Sequence, residues 1–311
     1  MLGKAITLIE SARADDQVIA TEVLNGVISK AGNSIRIGIS GVPGVGKSTF
    51  IESFGKLLTS LQNRVAVLTI DPSSQRTSGS ILGDKTRMEE LAKDPLAFIR
   101  PSASGKSLGG VAAKTREAII LCEAAGFNII IIETVGVGQS ETDVKNMVDF
   151  FLLLMLPGAG DELQGIKKGI MEMADLIVIN KADTDNLKKV QEAKHHYKQA
   201  LHLFVTSESG WNTKVLSCSA LEKTGIEEIW KEVKAFEKLT HDNGYFLHNR
   251  KLQNISWMQS QLNFLLQSSL KENDNLKKLI NQEEQGVAEG KISATAAARN
   301  IFNYWIDSLK R

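Results

Sequence analysis

The chain has 311 residues, of which 42% are apolar, so it can bury the core of one large domain or of two, and a disordered chain is excluded. Lys and Arg total 37 against 36 Asp and Glu, and the formal net charge of +1 gives no global attraction to nucleic acid or to an anionic membrane. Cys122 and Cys218 lie far apart in apolar stretches, which argues against disulfides and favours a reducing compartment. The apolar runs are shorter than a membrane span, and no basic region leads into a long apolar stretch at the N-terminus. We therefore expect a cytoplasmic protein with no nucleic-acid or membrane partner.

The first part of the chain is expected to be a helical extension over residues 1–33. Between residues 3 and 31 apolar residues recur mostly at helical spacing, which predicts two amphipathic helices. These residues are Ile6, Ile9, Ile19, Val23 and Val27.

Residues 34–224 are predicted to form an α/β domain. Short β-rich runs alternate here with helical stretches, and several runs are apolar at successive positions, as in strands buried on both faces. The runs are IRIGIS, RVAVLTI, LAFIR, NIIIIET, FFLLLML, LIVIN and KVLSCSA. This pattern predicts a mostly parallel sheet covered on both faces, with a nucleotide site at the carboxyl ends of its strands.

The first strand leads into a phosphate loop, because GVPGVGKS fits GxxxxGK[ST] between an apolar strand and a helical pattern. The predicted nucleotide-binding residues here are Gly41, Val42, Pro43, Gly44, Val45, Gly46, Lys47, Ser48 and Thr49. Glycines let successive N–H groups point at phosphate oxygens, and the helix dipole adds positive potential. Lys47 is predicted to neutralise the β- and γ-phosphates, and Ser48 to bind Mg²⁺ as a hard oxygen ligand.

The motif NKAD at residues 180–183 predicts selection of GTP over ATP. The carboxylate of Asp183 can accept hydrogen bonds from the guanine N1–H and exocyclic amine, whereas adenine offers neither donor. Asn180 is expected to brace the loop and meet the purine edge, and the stem of Lys181 is expected to lie along the base. A backbone amide for the base is expected from the segment after the next strand, which consists of Ser219, Ala220 and Leu221.

Acidic residues at strand ends are the candidates for the metal and for placing the attacking water. Glu133 ends NIIIIE, where many GTPases have Asp, and its longer stem is expected to reach Mg²⁺ through water. Gly136 is expected to present its N–H to the γ-phosphate. Asp71 is a second candidate for the metal or the water, unless it caps a turn before Pro72. Asp84, in GDKTRM, is a further candidate metal ligand.

Two later regions complete the predicted organisation. The glycine-rich segment 156–169 lies between a strand and a helix and is either a moving loop or an ordinary long connection. After Gly225 the pattern turns helical again, and three or four helices are expected over residues 225–311.

Six segments together resemble the MeaB-type methylmalonyl-CoA mutase-associated GTPases, a group also described as ArgK-like and as a transport-related kinase. The segments are GVPGVGKST (41–49), IDPSS (70–74), GDKTRM (83–88), ETVGVGQSE (133–141), LPGAGDELQGIKKGI (156–170) and NKAD (180–183). The resemblance covers about residues 35–221. One departure is SGKSLGG at 104–110, where the family pattern has Thr before Leu-Gly-Gly and no Lys.

The resemblance implies a SIMIBI-type phosphate-loop fold and a GTPase that binds an adenosylcobalamin-dependent acyl-CoA mutase. In that role the protein would gate loading or off-loading of the mutase cofactor and protect the mutase from inactivation. The resemblance also implies a homodimer built by the helices of residues 225–311. It further implies a third switch that contacts the mutase, and the residues that carry it here would be Asp161, Glu162, Gln164, Lys167 and Lys168.

The predicted chemistry is slow hydrolysis of GTP. Lys47, the loop amides and Mg²⁺ would stabilise charge on the transferred phosphoryl group, while Asp71 or Glu133 places the water. No residue is poised as a strong catalyst, so a partner is expected to order the switches and raise the rate. Two other interpretations stay open: a small-molecule kinase, and a metal-delivery GTPase that would use His195 and His196, unless these lie on a solvated helix face.

Overall fold

The computed structural model describes residues 1–70, 88–101, 108–134, 140–158, 168–183, 186–201, 207–272 and 274–308, and all structural statements concern these residues. Within these ranges no helix has both the length and the apolar character that a membrane crossing requires.

Seven strands in the described ranges form one sheet. They are β1 (Ile35–Gly41), β2 (Val65–Ile70), β3 (Ala97–Pro101), β4 (Ile129–Thr134), β5 (Phe150–Met155), β6 (Leu176–Ile179) and β7 (Lys214–Ser217). Their order across the sheet is β3-β2-β4-β1-β5-β6-β7, and each neighbouring pair is parallel. The predicted α/β fold is confirmed, and the sheet is parallel throughout its described strands where the sequence predicted a mostly parallel one.

The strands form because their successive apolar residues are buried on both faces of the sheet. In β4, Ile129, Ile130, Ile131 and Ile132 are at most 1% exposed. Full burial of one such side chain stabilises the fold by about 1.5–3 kcal/mol relative to exposure. Ile130 and Ile132 belong to one core and Ile129 and Ile131 to the other, because successive side chains of the strand point to opposite faces of the sheet.

Helices cover both faces of the sheet. The helices are α1 (Leu2–Glu10), α2 (Ala14–Val27), α3 (Lys47–Ser60), α4 (Glu89–Ala92), α5 (Leu108–Ala124), α6 (Ser140–Lys145), α7 (Lys168–Met173), α8 (Leu187–Leu201) and α9 (Ile226–Asp242), with a 3₁₀ turn at Ile28–Lys30. Residues of α3, α4 and α9 share one core with the sheet, and residues of α1, α2 and α5 to α8 share the other. The two predicted N-terminal helices are confirmed, and α1 buries Ile6 and Ile9.

The chain divides into two compact units, residues 1–253 and residues 254–311. Three further helices follow α9: α10 (Tyr245–Glu272), α11 (Asp274–Ala288) and α12 (Ala294–Ser308). With α9 they make four helices after Gly225 in the described chain, as predicted. In the second unit α11 packs on α12, and Asn300 donates a hydrogen bond to Glu283 at 3.0 Å. The functional boundaries at residues 33 and 224 stay predictions.

A buried ion pair ties the start of α10 to the amino ends of β1 and β5. Arg250 donates through Nε and Nη2 to the two carboxylate oxygens of Asp149, each at 2.7 Å. The same guanidinium donates to the carbonyl oxygens of Gly32 and Ser34 at 2.6 Å. Burial alone would lower the pKa of Arg250, but the hydrogen bonds and charge of Asp149 raise it above its ordinary value. The bidentate geometry and the bonded carbonyls together compensate for the removal of both charges from water.

We expect Arg250→Ala to lower the free energy of unfolding by about 3–5 kcal/mol, because it leaves the carboxylate of Asp149 buried without its cation. The measurement is urea denaturation followed by circular dichroism. Lys234→Ala serves as the control, since the side chain of Lys234 is 54% exposed in its pair with Glu237 and its loss should cost at most about 1 kcal/mol. Equal effects of the two substitutions would contradict a structural role for the buried pair.

Candidate nucleotide-binding site

The predicted phosphate and base residues that the structure describes gather at one edge of the sheet. The carboxyl ends of parallel strands meet at the same edge, so the segments that follow β1, β6 and β7 approach one another there. These segments are residues 42–46, 180–183 and 218–221. The end of β4 lies at the same edge, since Glu133 is in register with Ile39 of β1.

The phosphate loop leaves β1 at Gly41 and enters α3 at Lys47. A Cβ atom on Gly41 would lie 2.5 Å from the carbonyl oxygen of Leu154, so only glycine fits against β5 at this point. Gly44 and Gly46 have φ angles of +77° and +89°, in the left-handed region that favours glycine. Of the other predicted loop residues, Val45 is buried, Val42 and Ser48 are partly buried, and Pro43 and Thr49 are exposed. The loop thus curls as the motif predicts and ends at a helix N-terminus.

Lys47 folds back over the phosphate loop. Its Nζ atom donates to the carbonyl oxygen of Gly41 at 2.8 Å. Burial lowers the pKa of Lys47 from its ordinary value, and the charges of Glu133 and Glu141 oppose that shift. The ammonium group of Lys47 is thus half-buried at the start of the phosphate loop.

Glu133 and Ser48 are the described candidates for a magnesium site. The side chain of Glu133 is buried at the end of β4, beside a hydrogen bond of 2.9 Å from Thr134 Oγ1 to Ser40 Oγ. Ser48 lies in the first turn of α3. In the described part of the chain no three His, Cys, Asp or Glu side chains cluster as a metal site. One hydroxyl and one carboxylate suit Mg²⁺, which takes oxygen ligands and completes its shell with water and phosphate oxygens.

Asn180 joins the phosphate loop to the loop after β7. Its Nδ2 donates to the carbonyl oxygen of Val45 at 2.8 Å, and its Oδ1 accepts a hydrogen bond from the N–H of Ala220 at 3.1 Å. A Cβ atom on Gly46 would lie 3.0 Å from the same Nδ2, so the close approach depends on a glycine there. Asn180 thus connects the two loops, and its predicted contact with the purine edge stays a prediction.

Asp183 is held by the loop after β7. Ser219 Oγ donates a short hydrogen bond to its Oδ1 and accepts one from the N–H of Glu222 at 3.1 Å. The N–H of Ala182 donates to the carbonyl oxygen of Cys218 at 3.0 Å, which fixes the backbone beside Asp183. The remaining predicted residues are Lys181, with a φ of +60°, and Leu221, which is exposed. The carboxylate and the segment Ser219 to Leu221 are thus brought together.

Two residues of this site were missed by sequence reasoning. Glu141 lies in the first turn of α6 and acts on Lys47, although nothing in its local pattern separates it from an ordinary acidic residue at a helix start. Cys218 is buried, and its thiol lies 3.5 Å from Asn180 Oδ1. Burial and the charge of Asp183 raise the pKa of Cys218 to about 12, so it stays a neutral thiol.

Several predicted site residues lie outside the described ranges. They are Asp71, Asp84, Gly136, Asp161, Glu162, Gln164 and Lys167, together with the side chain of Lys168 at the start of α7. Their predicted roles stay predictions. His195 is described, and its ring makes a hydrogen bond of 2.9 Å with Gln199 on the exposed side of α8.

Comparison with known proteins places this chain in a family. The sequence model of the family described as methylmalonyl-CoA mutase-associated GTPase MeaB matches residues 2–275. A putative GTPase of Caulobacter vibrioides is 51% identical over 301 residues, which make up 97% of this chain and 92% of the relative. The mitochondrial methylmalonic aciduria type A homolog of Mus musculus is 43% identical over 307 residues, 96% of this chain and 74% of the relative. A crystal structure of an LAO/AO transport system kinase matches with a TM-score of 0.78 at 39% identity, covering 97% of this chain and 92% of that one.

We expect Asn180→Ala to weaken GDP and GTP binding by about 10- to 100-fold. The substitution removes the hydrogen bonds to Val45 and Ala220, and an unsatisfied buried donor or acceptor costs about 1–3 kcal/mol. Titration with a fluorescent GDP analogue measures this. Asn186→Ala is the control, since Asn186 lies nearby with an exposed side chain whose contact to the Lys181 carbonyl is 3.5 Å long. Unchanged GDP affinity of the Asn180 variant would contradict the bracing role.

Proposed function

The chain belongs to the family of methylmalonyl-CoA mutase-associated GTPases, and from this premise we propose that it is a Mg²⁺-dependent GTPase chaperone of an adenosylcobalamin-dependent acyl-CoA mutase. In this proposal GTP binding and hydrolysis gate the loading or off-loading of the mutase cofactor and protect the mutase. The observation that carries it is the geometry around Asp183, where a carboxylate that suits guanine is held by Ser219, in the loop that Asn180 connects to the phosphate loop.

Guanine selection follows from the chemistry of that carboxylate. The guanine N1–H and exocyclic amine can both donate to Asp183, while adenine would leave a partly buried charge without donors. The hydroxyl of Ser219 satisfies one oxygen of Asp183 and orients the group. The N–H groups of Ser219 and Ala220 bond to Thr224 and Asn180, so the backbone amide for the base would come from Leu221.

The phosphate end supports hydrolysis by positioning and charge. Lys47 and the loop amides would bind the β- and γ-phosphates and stabilise charge that develops on the transferred group. Mg²⁺, when bound, would supply further positive charge at the same oxygens, with Ser48 and Glu133 as its protein ligands, directly or through water. Asp71 or Glu133 would place the attacking water, Gly136 would sense the γ-phosphate, and Asp84 stays a second candidate for the metal. Without a strongly activated base, the intrinsic rate should be slow.

The mutase partner is proposed from the family description and from the name of the Mus musculus relative, which refers to methylmalonic aciduria. The glycine-rich segment at 156–170 would contact the mutase as a third switch. The residues proposed for that contact are Asp161, Glu162, Gln164, Lys167 and Lys168. A cytoplasmic location also stays a proposal, and the two free, buried cysteines accord with a reducing compartment.

A homodimer is supported by an apolar stripe on α10. Ile255, Met258, Leu262 and Leu265 recur at helical spacing in the second unit, and each is at least half exposed. Such spacing puts the four side chains on one face, as in a helix-to-helix seam. A contiguous exposed apolar face of this kind typically marks an interface.

A small-molecule kinase is the alternative enzyme, because the protein in the matching crystal structure is named as a transport system kinase. Such a kinase would use the same phosphate loop but pass the γ-phosphate to an acceptor other than water. A metal-delivery GTPase is the second alternative, and His195 and His196 would be its candidate ligands. Product analysis and metal titration separate these from the proposed GTPase.

We expect GTP with Mg²⁺ to give GDP and inorganic phosphate slowly, and a methylmalonyl-CoA mutase to raise the rate by about 5- to 150-fold, the range that coupling free energies of about 1–3 kcal/mol produce. Phosphate release with and without the mutase measures both. Lys47→Ala is the control that should abolish hydrolysis in both conditions. Equal rates with and without the mutase would remove the switch, and a phosphorylated acceptor in place of free phosphate would favour the kinase.

We expect the protein to have about twice its chain mass of 34.0 kDa in solution and Leu262→Glu to give a folded monomer, because the charge enters the apolar seam of α10 without disturbing a buried position. Light scattering after size-exclusion chromatography measures the mass. Asn263→Glu adds the same charge at a neighbouring exposed position and should leave the dimer intact. A monomeric parent protein, or a dimeric Leu262 variant, would contradict this interface.

A further inference from the structure

Ser53 is a buried polar residue on the inner face of α3, among Phe50, Ile51 and Phe54 of the hydrophobic core. Its hydroxyl donates to the carbonyl oxygen of Ala220 at 2.6 Å. The two residues are separated by 167 positions in the chain. The contact therefore links the helix that starts at the phosphate loop to the loop beside the proposed base site.

The partner of this hydrogen bond distinguishes Ser53 from Ser60 of the same helix. Ser60 bonds the carbonyl oxygen of Leu57 in its own helix, as serine in helices commonly does. Ser53 instead bonds to a different loop. Its hydroxyl thus satisfies a carbonyl outside α3, and replacing it would leave that carbonyl unsatisfied in a buried place.

The peptide groups of Ala220 are held from two sides. Its carbonyl oxygen accepts from Ser53, and its N–H donates to Asn180 Oδ1 at 3.1 Å. Ala220 itself is only 3% exposed, so water does not compete for these groups. The neighbouring Ser219 in turn holds Asp183. The orientation of the loop next to the base therefore depends on both ties.

These contacts close a ring. Val45 accepts from Asn180, Asn180 accepts from Ala220, and Ala220 accepts from Ser53. Ser53 lies in α3, and the first turn of this helix is joined to the phosphate loop by a hydrogen bond of 2.9 Å from the N–H of Phe50 to the carbonyl oxygen of Gly46. The separation between the phosphate loop and the loop of Ala220 is therefore fixed by two connections, one through Asn180 and one through Ser53 and α3.

We propose that Ser53 is a positioning residue for guanine, which holds the loop of Ala220 in register with the phosphate loop and thereby slows release of guanine nucleotide. It acts through Ala220 and does not touch the nucleotide. The inference rests on the proposed guanine-nucleotide function and adds a determinant of base selectivity that lies on the phosphate-binding helix.

The test compares Ser53→Thr with Ser53→Val, two side chains of the same shape that differ only in the hydroxyl. Dissociation of a fluorescent GDP analogue is followed by stopped flow, and affinities for GDP, ADP and pyrophosphate are measured by competition. We expect the Val variant, like Ser53→Ala, to release GDP about 5- to 30-fold faster than the Thr variant, as for loss of one buried hydrogen bond. Affinities for ADP and pyrophosphate should stay unchanged, which a general loss of folding would not allow.

Ser60→Ala is the matched control on the same helix, since its exposed hydroxyl bonds only within α3, and it should release GDP at the parent rate. Equal GDP release from the Thr and Val variants would overturn the role of Ser53. So would an equal loss of GDP, ADP and pyrophosphate binding. Failure of the parent protein to prefer GDP over ADP would instead remove the proposed guanine function.

Discussion

The side-chain amide of Asn180 faces the phosphate loop with its nitrogen and the loop after β7 with its oxygen, and both contacts are buried. A primary amide offers a donor and an acceptor on one rigid plane, and Asn holds it closer to its own backbone than Gln does. The two loops follow strands that are not neighbours in the sheet, β1 and β7, so their separation depends on side-chain bridges such as this one. In the proposed site a guanine nucleotide would reach from Lys47 to Asp183, so a constant separation of the two loops would let its phosphates and its base bind at the same time.

The α/β class could be predicted because successive apolar residues in short runs leave few alternatives to strands buried on both faces. The run NIIIIET became β4, with Ile129 to Ile132 divided between two cores. The order of the strands could not be predicted in the same way. β4 lies between β1 and β2 through pairings such as Ile131 with Ile37 and Val67, and those depend on long-range packing that local spacing does not encode.

In the candidate site, too, local motifs could be predicted and long-range contacts could not. Gly41 and Asn180 could be identified from motifs because backbone curvature and purine chemistry demand particular residues at particular spacing. Ser53 could not, since a serine on the apolar face of an amphipathic pattern resembles any tolerated small residue, and its partner Ala220 is distant in sequence. Glu141 escaped for a related reason, because its effect on Lys47 arises only when α6 is placed beside the phosphate loop.

The charges around Lys47 bear on why a divalent cation should be required. Burial lowers the pKa of Lys47, and the charges of Glu133 and Glu141 act against that shift. A triphosphate bound beside Lys47 would bring further negative charge to these two carboxylates, and the loop amides would add only partial positive charges. The carboxylates would then repel the phosphates. A hard divalent ion between the carboxylate side and the phosphates would offset this repulsion, which is the physical argument for pairing Ser48 with Glu133 in the proposed Mg²⁺ site.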